Sequence, residues 1–254
     1  MANTIYRNIL AGQRQRKRRI AVLVDPDHFS VKEMSELIQL ALGAKVDFFF
    51  VGGSLLSTTL LDQCVRFLKQ QSDIPVVLFP GSITQIHPKV DAILLLTLIS
   101  GRNPDLLIGK HVEAAPLLKA SERELIPTGY MLIDGGRQTT ASYISNTTPI
   151  PADKPDIAAM TALAGEMLGL KTIYLDAGSG AQTPISPAMI HTVKQTVDLP
   201  LIVGGGMRTP ESAVQAAKAG ADIVVIGNVL EDQKELLLEI ASSVHQVTHE
   251  PFNR

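Results

Sequence analysis

The chain has 254 residues, 45% of them hydrophobic, 19% charged and 4% aromatic, with 19 glycines and no tryptophan. Such a composition excludes a disordered chain, which would be poorer in apolar residues and richer in net charge. A formal charge of −2, with only seven Phe and four Tyr, gives no general attraction to nucleic acid and little to stack single strands on.

The first segment, MANTIYRNILAGQRQRKRR, lacks the apolar core of a signal peptide. No run approaches the roughly 18 apolar residues of a membrane span. One cysteine, Cys64, excludes an internal disulfide and suits a reducing compartment, so a cytoplasmic location is expected. The basic run Arg14, Arg16, Lys17, Arg18 and Arg19 could meet anionic lipid headgroups or a phosphate. Its simpler reading is a solvated segment ahead of the first strand.

Strands are predicted at Ile20–Val24, Phe48–Val51, Val76–Phe79, Ala92–Thr97, Tyr130–Ile133, Thr172–Leu175, Leu201–Val203 and Ile223–Ile226. Several are continuously apolar, as in parallel sheets covered on both faces. Amphipathic helices are predicted between them at Val31–Ala41, Thr58–Lys69, Ile157–Leu168, Pro187–Val197 and Pro210–Ala219. Ser30 and Thr209-Pro210 carry start signals, and Gly43, Gly169 and Gly220 carry stop signals. Cys64 falls on an amphipathic helix and reads as core packing.

Eight strands alternating with helices predict an α/β fold, a single (β/α)8 TIM barrel over residues 1–254, with a doubly wound sheet as the alternative. Only Pro80–Val90 separates the third strand from the fourth. A full crossover needs about a dozen residues or more, so the third outer helix should be reduced or missing. The resulting slot would expose apolar barrel wall, to be covered by a loop or by a greasy substrate.

Barrel sites lie where strands end. Strand seven ends in Gly204-Gly205-Gly206 and strand eight in Gly227-Asn228, ahead of a helix starting near Pro210. Glycine lets backbone N–H groups close on an anion, and the helix N-terminus points the same way, so a phosphate is expected there. Asp222 and Gly220 read as turn and packing residues. Strand six ends in Tyr174-Leu175-Asp176-Ala177-Gly178-Ser179-Gly180-Ala181, and alternation turns Tyr174 and Asp176 inward. A carboxylate there can take a proton from a substrate hydroxyl, or it can anchor a loop. Asp25-Pro26-Asp27-His28 and Gly52-Gly53-Ser54 follow the first two strands. Asp25 should point into the mouth, where a carboxylate and the Ser54 hydroxyl are hard ligands suited to Mg²⁺, although Asp before Pro is also a common turn. Asp27 reads as a helix start, and His28 as a surface residue that could contact an anion.

The segments LVDPDH (Leu23–His28), FFVGGS (Phe49–Ser54), LFPGS (Leu78–Ser82), SGRNP (Ser100–Pro104), IPTGYMLIDGG (Ile126–Gly136), YLDAGSGA (Tyr174–Ala181), VGGGMRTPE (Val203–Glu211) and ADIVVIGN (Ala221–Asn228) together resemble geranylgeranylglyceryl phosphate synthases. These are Mg²⁺-dependent prenyltransferases on a (β/α)8 barrel, and the likeness runs from about Ile20 to Leu230. It implies transfer of a prenyl group from a polyprenyl diphosphate to the 3-hydroxyl of sn-glycerol 1-phosphate, giving an ether lipid precursor and diphosphate. It also implies that Tyr174, Leu175, Asp176, Ala177, Gly178, Ser179, Gly180, Gly205, Gly206, Gly227 and Asn228 hold the glycerol phosphate. By the same resemblance Asp25 and Ser54 bind Mg²⁺, and Asp176 activates the hydroxyl.

Two positions depart from many relatives, His28 where they carry Lys and Asp176 where they carry Glu. YLDAGSGA and PIPADKPDIAA look like the group that uses geranylgeranyl diphosphate, with a heptaprenyl donor as the alternative. Family members assemble as dimers or larger rings, so a homo-oligomer is expected, and so is peripheral contact with a membrane. The competing readings are a phosphosugar isomerase or aldolase, and a phosphometabolite sensor. The isomerase or aldolase would need a reactive lysine or an acid–base pair near the carbonyl; no lysine stands at a predicted strand end, although Asp25 and Asp176 could form such a pair.

Overall fold

A computed structural model describes residues 4–247. Eight parallel strands pair in chain order and close into a barrel. They are β1 (Arg19–Val24), β2 (Phe48–Val51), β3 (Val76–Leu78), β4 (Ala92–Leu98), β5 (Glu124–Leu132), β6 (Thr172–Asp176), β7 (Leu201–Gly204) and β8 (Ile223–Ile226). Closure comes from β1 pairing with β8, Ala21 opposite Val225. The side-chain period of two then sorts each strand between two layers. Ala21, Phe48, Phe50, Val77, Leu94, Ile126, Tyr174, Ile202 and Val225 fill the barrel. Val22, Phe49, Val76, Ile93, Leu175, Val203 and Val224 face outward, against the helices.

The helices are α1 (Thr4–Arg14), α2 (Val31–Gly43), α3 (Leu61–Gln71), α4 (Lys110–Ser121), α5 (Thr140–Ser145), α6 (Pro155–Met167), α7 (Pro187–Thr196), α8 (Pro210–Ala219), α9 (Val229–Asp232) and α10 (Leu236–His245). Start signals act as the sequence implies. Ser30 accepts from the Glu33 N–H, and Thr209 forms a capping box with Ser212. Gly169 and Gly220 take positive φ after α6 and α8, whereas α2 is followed by its left-handed residue at Lys45. Cys64 is buried in the outer layer, and burial pushes its thiol up to about 12, so it is packing and not a nucleophile.

Between β3 and β4 there is only one 3-10 turn, Ile83–Gln85, so the third outer helix is indeed reduced. Where that helix would stand, Leu95 on the outer face of β4 remains partly exposed.

Three local features differ from expectation. β5 begins at Glu124, well before Tyr130. Pro127 and Gly129 disguise it, but Pro127 pairs with β4 alone, because the ladder to β6 starts only at Thr128. α1 was not signalled at all. It packs Ile5 and Ile9 into the interior cluster at the strands' N-terminal end, and the buried Glu124 carboxylate accepts from the Ile5 and Tyr6 N–H groups at 2.8 and 2.7 Å. An acid at a helix N-terminus meets four unpaired donors and the positive end of the dipole. Lastly, the basic run is not uniformly solvated. Arg14, Arg16 and Lys17 are exposed, but Arg18 is buried and paired with Asp222 at 3.3 Å, and Arg19 is partly buried beside Asp47 at 3.9 Å. The run lies at the end of the barrel opposite the strand C-termini, out of reach of any phosphate at the mouth.

Candidate active site

The C-terminal strand ends surround a cavity of about 170 Å³. Asp25, Ser54, Tyr174, Asp176, Ser179, Gly180, Gly205, Gly206, Gly227 and Asn228 all line it. The other three residues named above do not. Leu175 and Ala177 pack into the outer layer, as alternation requires, and Gly178 gives only its backbone.

Asp176 is the centre of the cavity's chemistry. It is 7% exposed, at the end of β6. Oδ2 accepts from Tyr130 Oη at 2.6 Å, and Oδ1 accepts from the Gly178 N–H at 2.7 Å. Burial pushes its carboxyl above the usual carboxylate range, and those two hydrogen bonds pull against that rise. Tyr130 itself is driven far above the ordinary phenol value by burial and by the neighbouring carboxylate, so it stays a donor. Tyr130, Tyr174 and Phe79 form a ring cluster with centroids 5.3–5.7 Å apart beneath the carboxylate. Gly205, at φ +83°, leaves room for it: a Cβ there would stand 2.8 Å from Asp176 Oδ1.

The loops after β6, β7 and β8 fit together around this point. Ser179 Oγ donates to Asn228 Oδ1 at 2.9 Å. Arg208, in the segment after the three glycines, also lines the cavity and donates to the Ala181 carbonyl at 3.0 Å. Backbone N–H groups released by positive-φ glycines, with the capped N-terminus of α8 beside them, make this wall suited to a phosphate.

On the opposite wall, Asp25 Oδ1 accepts from the Asp27 N–H at 2.9 Å. Its Oδ2 faces Gly53, 3.6 Å from where a Cβ would be. Asp25 and Ser54, a carboxylate and a hydroxyl, both line the cavity. Both are hard donors, a sparse set that fits Mg²⁺ when phosphates and waters supply the remaining ligands. Among the described residues no cluster of three or more His, Cys, Asp or Glu could form a metal cage. Asp27 does more than start a turn. Its oxygens accept from the backbone and hydroxyl of both Ser57 and Thr58, at 2.6–3.0 Å. Desolvation, the largest single influence, raises its carboxyl, but the four bonds together outweigh it and hold it at about 2. His28 is exposed and faces Glu231 at 3.5 Å, on the lip.

A second hollow, about 380 Å³, occupies the slot beside the short β3–β4 connection. Ile83, Ile86, Leu95, Leu106, Ala114 and Leu118 line it, and it shares Gly53, Ser54 and Phe79 with the first cavity.

Tyr130, Phe79 and Arg208 are the site residues that the sequence did not single out. Arg208 stood inside the VGGGMRTPE segment, where a cation beside a glycine loop is a legible signal. Tyr130 had none, because its role needs the β5–β6 register that sets it opposite Tyr174.

Known proteins match this arrangement. A chain from Chitinophaga pinensis named geranylgeranylglyceryl phosphate synthase is 53% identical over 245 residues, covering 96% of this chain and 97% of its own. One of the same name from Thermococcus kodakarensis is 44% identical over 218 residues, covering 85% and 86%. The crystal structure of (S)-3-O-geranylgeranylglyceryl phosphate synthase from Thermoplasma acidophilum, in complex with sn-glycerol-1-phosphate, superposes with a TM-score of 0.90 at 33% identity, covering 96% of this chain and 99% of that one. The PcrB family model matches residues 13–244, a span that contains every strand of the barrel. With the glycine loops, the inward acid and the slot in the helix ring all inside the matched region, the chain belongs to the PcrB family.

Proposed function

We propose that this chain transfers a geranylgeranyl group from geranylgeranyl diphosphate to the 3-hydroxyl of sn-glycerol 1-phosphate. One observation carries the reading: a polar cavity with an inward, buried carboxylate shares a wall of Gly53, Ser54 and Phe79 with an apolar slot. A phosphate-bearing alcohol suits the first space and a hydrocarbon tail the second, which brings the two reactants together at that wall. The names of the relatives and the glycerol phosphate in the Thermoplasma structure support the same pairing.

Backbone donors at Gly205, Gly206, Gly227 and Asn228 would take the phosphate, and Arg208 adds a cation on that side. The glycerol 3-hydroxyl then lies toward Asp176. As its oxygen attacks the allylic carbon, the new C–O bond forms, the bond to diphosphate breaks and the hydroxyl proton passes to the Asp176 carboxylate. Tyr130, held as a donor, orients that carboxylate and stabilises its charge until the proton arrives. Asp25 and Ser54 would hold Mg²⁺, which when bound offsets the charge that grows on the departing diphosphate. A cytoplasmic location agrees with the free, buried Cys64 and with the lack, among the described residues, of a helix long and apolar enough to cross a membrane.

Incubation with Mg²⁺, labelled sn-glycerol 1-phosphate and a mixture of C15 to C35 diphosphates tests this reading. The expected product is an organic-soluble C20 ether phosphate. A C35 product would assign the longer donor, and no lipid product would refute the transferase. A Schiff-base aldolase lacks its nucleophile, since among the described residues no lysine lines the first cavity. Asp25→Ala should remove most Mg²⁺-dependent turnover, about 10²-fold or more, because a carboxylate ligand is the stronger half of the pair. An unchanged rate across a Mg²⁺ titration would exclude Asp25 as a ligand. Ala114→Trp, which fills the slot from α4, should shift the preferred donor toward shorter chains. The same product distribution as the parent chain would place the tail elsewhere.

A further inference from the structure

Gln85 is 3% exposed, at the end of the single turn that replaces the third outer helix. A buried amide in an apolar wall is costly unless both of its ends are hydrogen-bonded. Both are: Oε1 accepts from the Gly81 N–H at 3.0 Å, and Nε2 donates to the Gly53 carbonyl at 3.0 Å. One side chain therefore joins the loop after β3 to the loop after β2, one residue ahead of Ser54. The two loops touch closely, since a Cβ on Gly81 would stand 2.3 Å from the Gly53 oxygen and 2.7 Å from the Ser54 oxygen. Ile83 and Ile86, beside Gln85 on the same turn, line the apolar slot. Asp27 holds the far end of the Ser54 segment through Ser57 and Thr58.

We infer that Gln85 is a positioning residue: its bridge between Gly81 and Gly53 fixes Ser54 in register with Asp25 and ties that register to the wall on which the prenyl tail lies. This rests on the reading of Asp25 and Ser54 as the cation-holding pair. Gln85 touches neither reactant. It acts by keeping the two donors at one separation, so that they act together on a cation.

Two variants test it. Gln85→Met keeps the volume and removes both hydrogen bonds. Gln85→Glu keeps an acceptor for the Gly81 N–H but sets a carboxylate oxygen against the Gly53 carbonyl. In metal-free protein, amide hydrogen exchange over residues 53–55 should quicken about tenfold in both, as the loss of about one hydrogen bond implies. The Gly81 amide should lose protection in the Met variant only. Mn²⁺ binding in the presence of inorganic diphosphate, followed by electron paramagnetic resonance, should weaken about tenfold in both. Affinity for glycerol 1-phosphate, which meets the opposite wall, should be unchanged. Unaltered Mn²⁺ affinity in variants whose 53–55 amides exchange faster would overturn the inference, as would glycerol phosphate affinity falling in step with Mn²⁺. If the parent chain binds no Mn²⁺ with diphosphate, the Asp25–Ser54 reading fails and this inference with it. If the parent binds Mn²⁺ but makes no ether lipid, the proposed reaction fails while the role of Gln85 is still decided by exchange and binding.

Discussion

Asp176→Asn should lower turnover about 10²–10⁴-fold while glycerol 1-phosphate still binds, the span expected for loss of a general base. Asparagine is nearly the same shape and leaves the phosphate loops untouched. It can accept from only one of Tyr130 and Gly178, and it cannot take the hydroxyl proton. The pH dependence follows from the direction of the shift. The base works ionised, so the rate rises with pH through an acidic limb lying above the usual carboxylate range, because burial raises this carboxyl. Stability moves the other way. A carboxyl whose value is raised on folding binds its proton more tightly in the native state, so its contribution is present at low pH and is lost as pH rises through the raised value. Over that window the variant should gain stability relative to the parent chain. Steady-state rates between about pH 4 and 9, from the carboxylate range to below phenol titration, with glycerol phosphate binding by calorimetry, decide the matter. Turnover within about tenfold of the parent's would remove Asp176 as the base.

Asp222→Ala should cost about 3–5 kcal/mol of stability, the usual consequence of stranding a buried charge. Asp222 is 4% exposed, at the end of the barrel opposite the site. Oδ2 accepts from Lys194 Nζ at 2.7 Å and from the Leu201 N–H at 2.8 Å, and Oδ1 lies 3.3 Å from Arg18 Nη1. Its backbone joins the same junction: its N–H donates to Leu201 O, and its carbonyl accepts from Arg19 N. One carboxylate therefore neutralises two cations where β7, β8 and β1 begin. Burial already pulls the Arg18 guanidinium down, with Asp222 opposing the fall. Without the acid, two desolvated cations would face each other across an empty acceptor site. Asp222→Asn keeps an acceptor for Leu201 and should recover part of the loss. Urea unfolding measures both, and a loss below about 1 kcal/mol for alanine would contradict this account. The residual folded protein should retain its catalytic constants, since the network lies across the barrel from the mouth.

Much of this was legible along the chain. Apolar runs of four to six residues gave the strands, such as Phe48–Val51 and Ile223–Ile226, because a strand buried on both faces needs no polar alternation. The shortness of Pro80–Val90 exposed the missing helix, since a connection of that length cannot hold one. Glycines at strand ends marked the phosphate wall. What failed did so for identifiable reasons. Pro127 and Gly129 hid the first half of β5, Pro116 sits inside α4, and α1 has helix content but no neighbour in sequence to bury it. The basic run misled because charge alone does not say which arginine will find a carboxylate.

The sequence by itself determined the order of the strands, the face each strand residue takes and the placing of Asp176 and Asp25 at strand ends, because these depend on local period and connection length. Only the tertiary structure decided which groups meet. Tyr130 reaches Asp176 across 46 positions, Gln85 reaches Gly53 across 32, and Arg18 reaches Asp222 across 204. Such pairs are set by strand register and by closure of the ring, which bring together residues that no local pattern relates. The shared wall between the polar cavity and the apolar slot arises the same way, from two loops pressed together at Gly53 and Gly81.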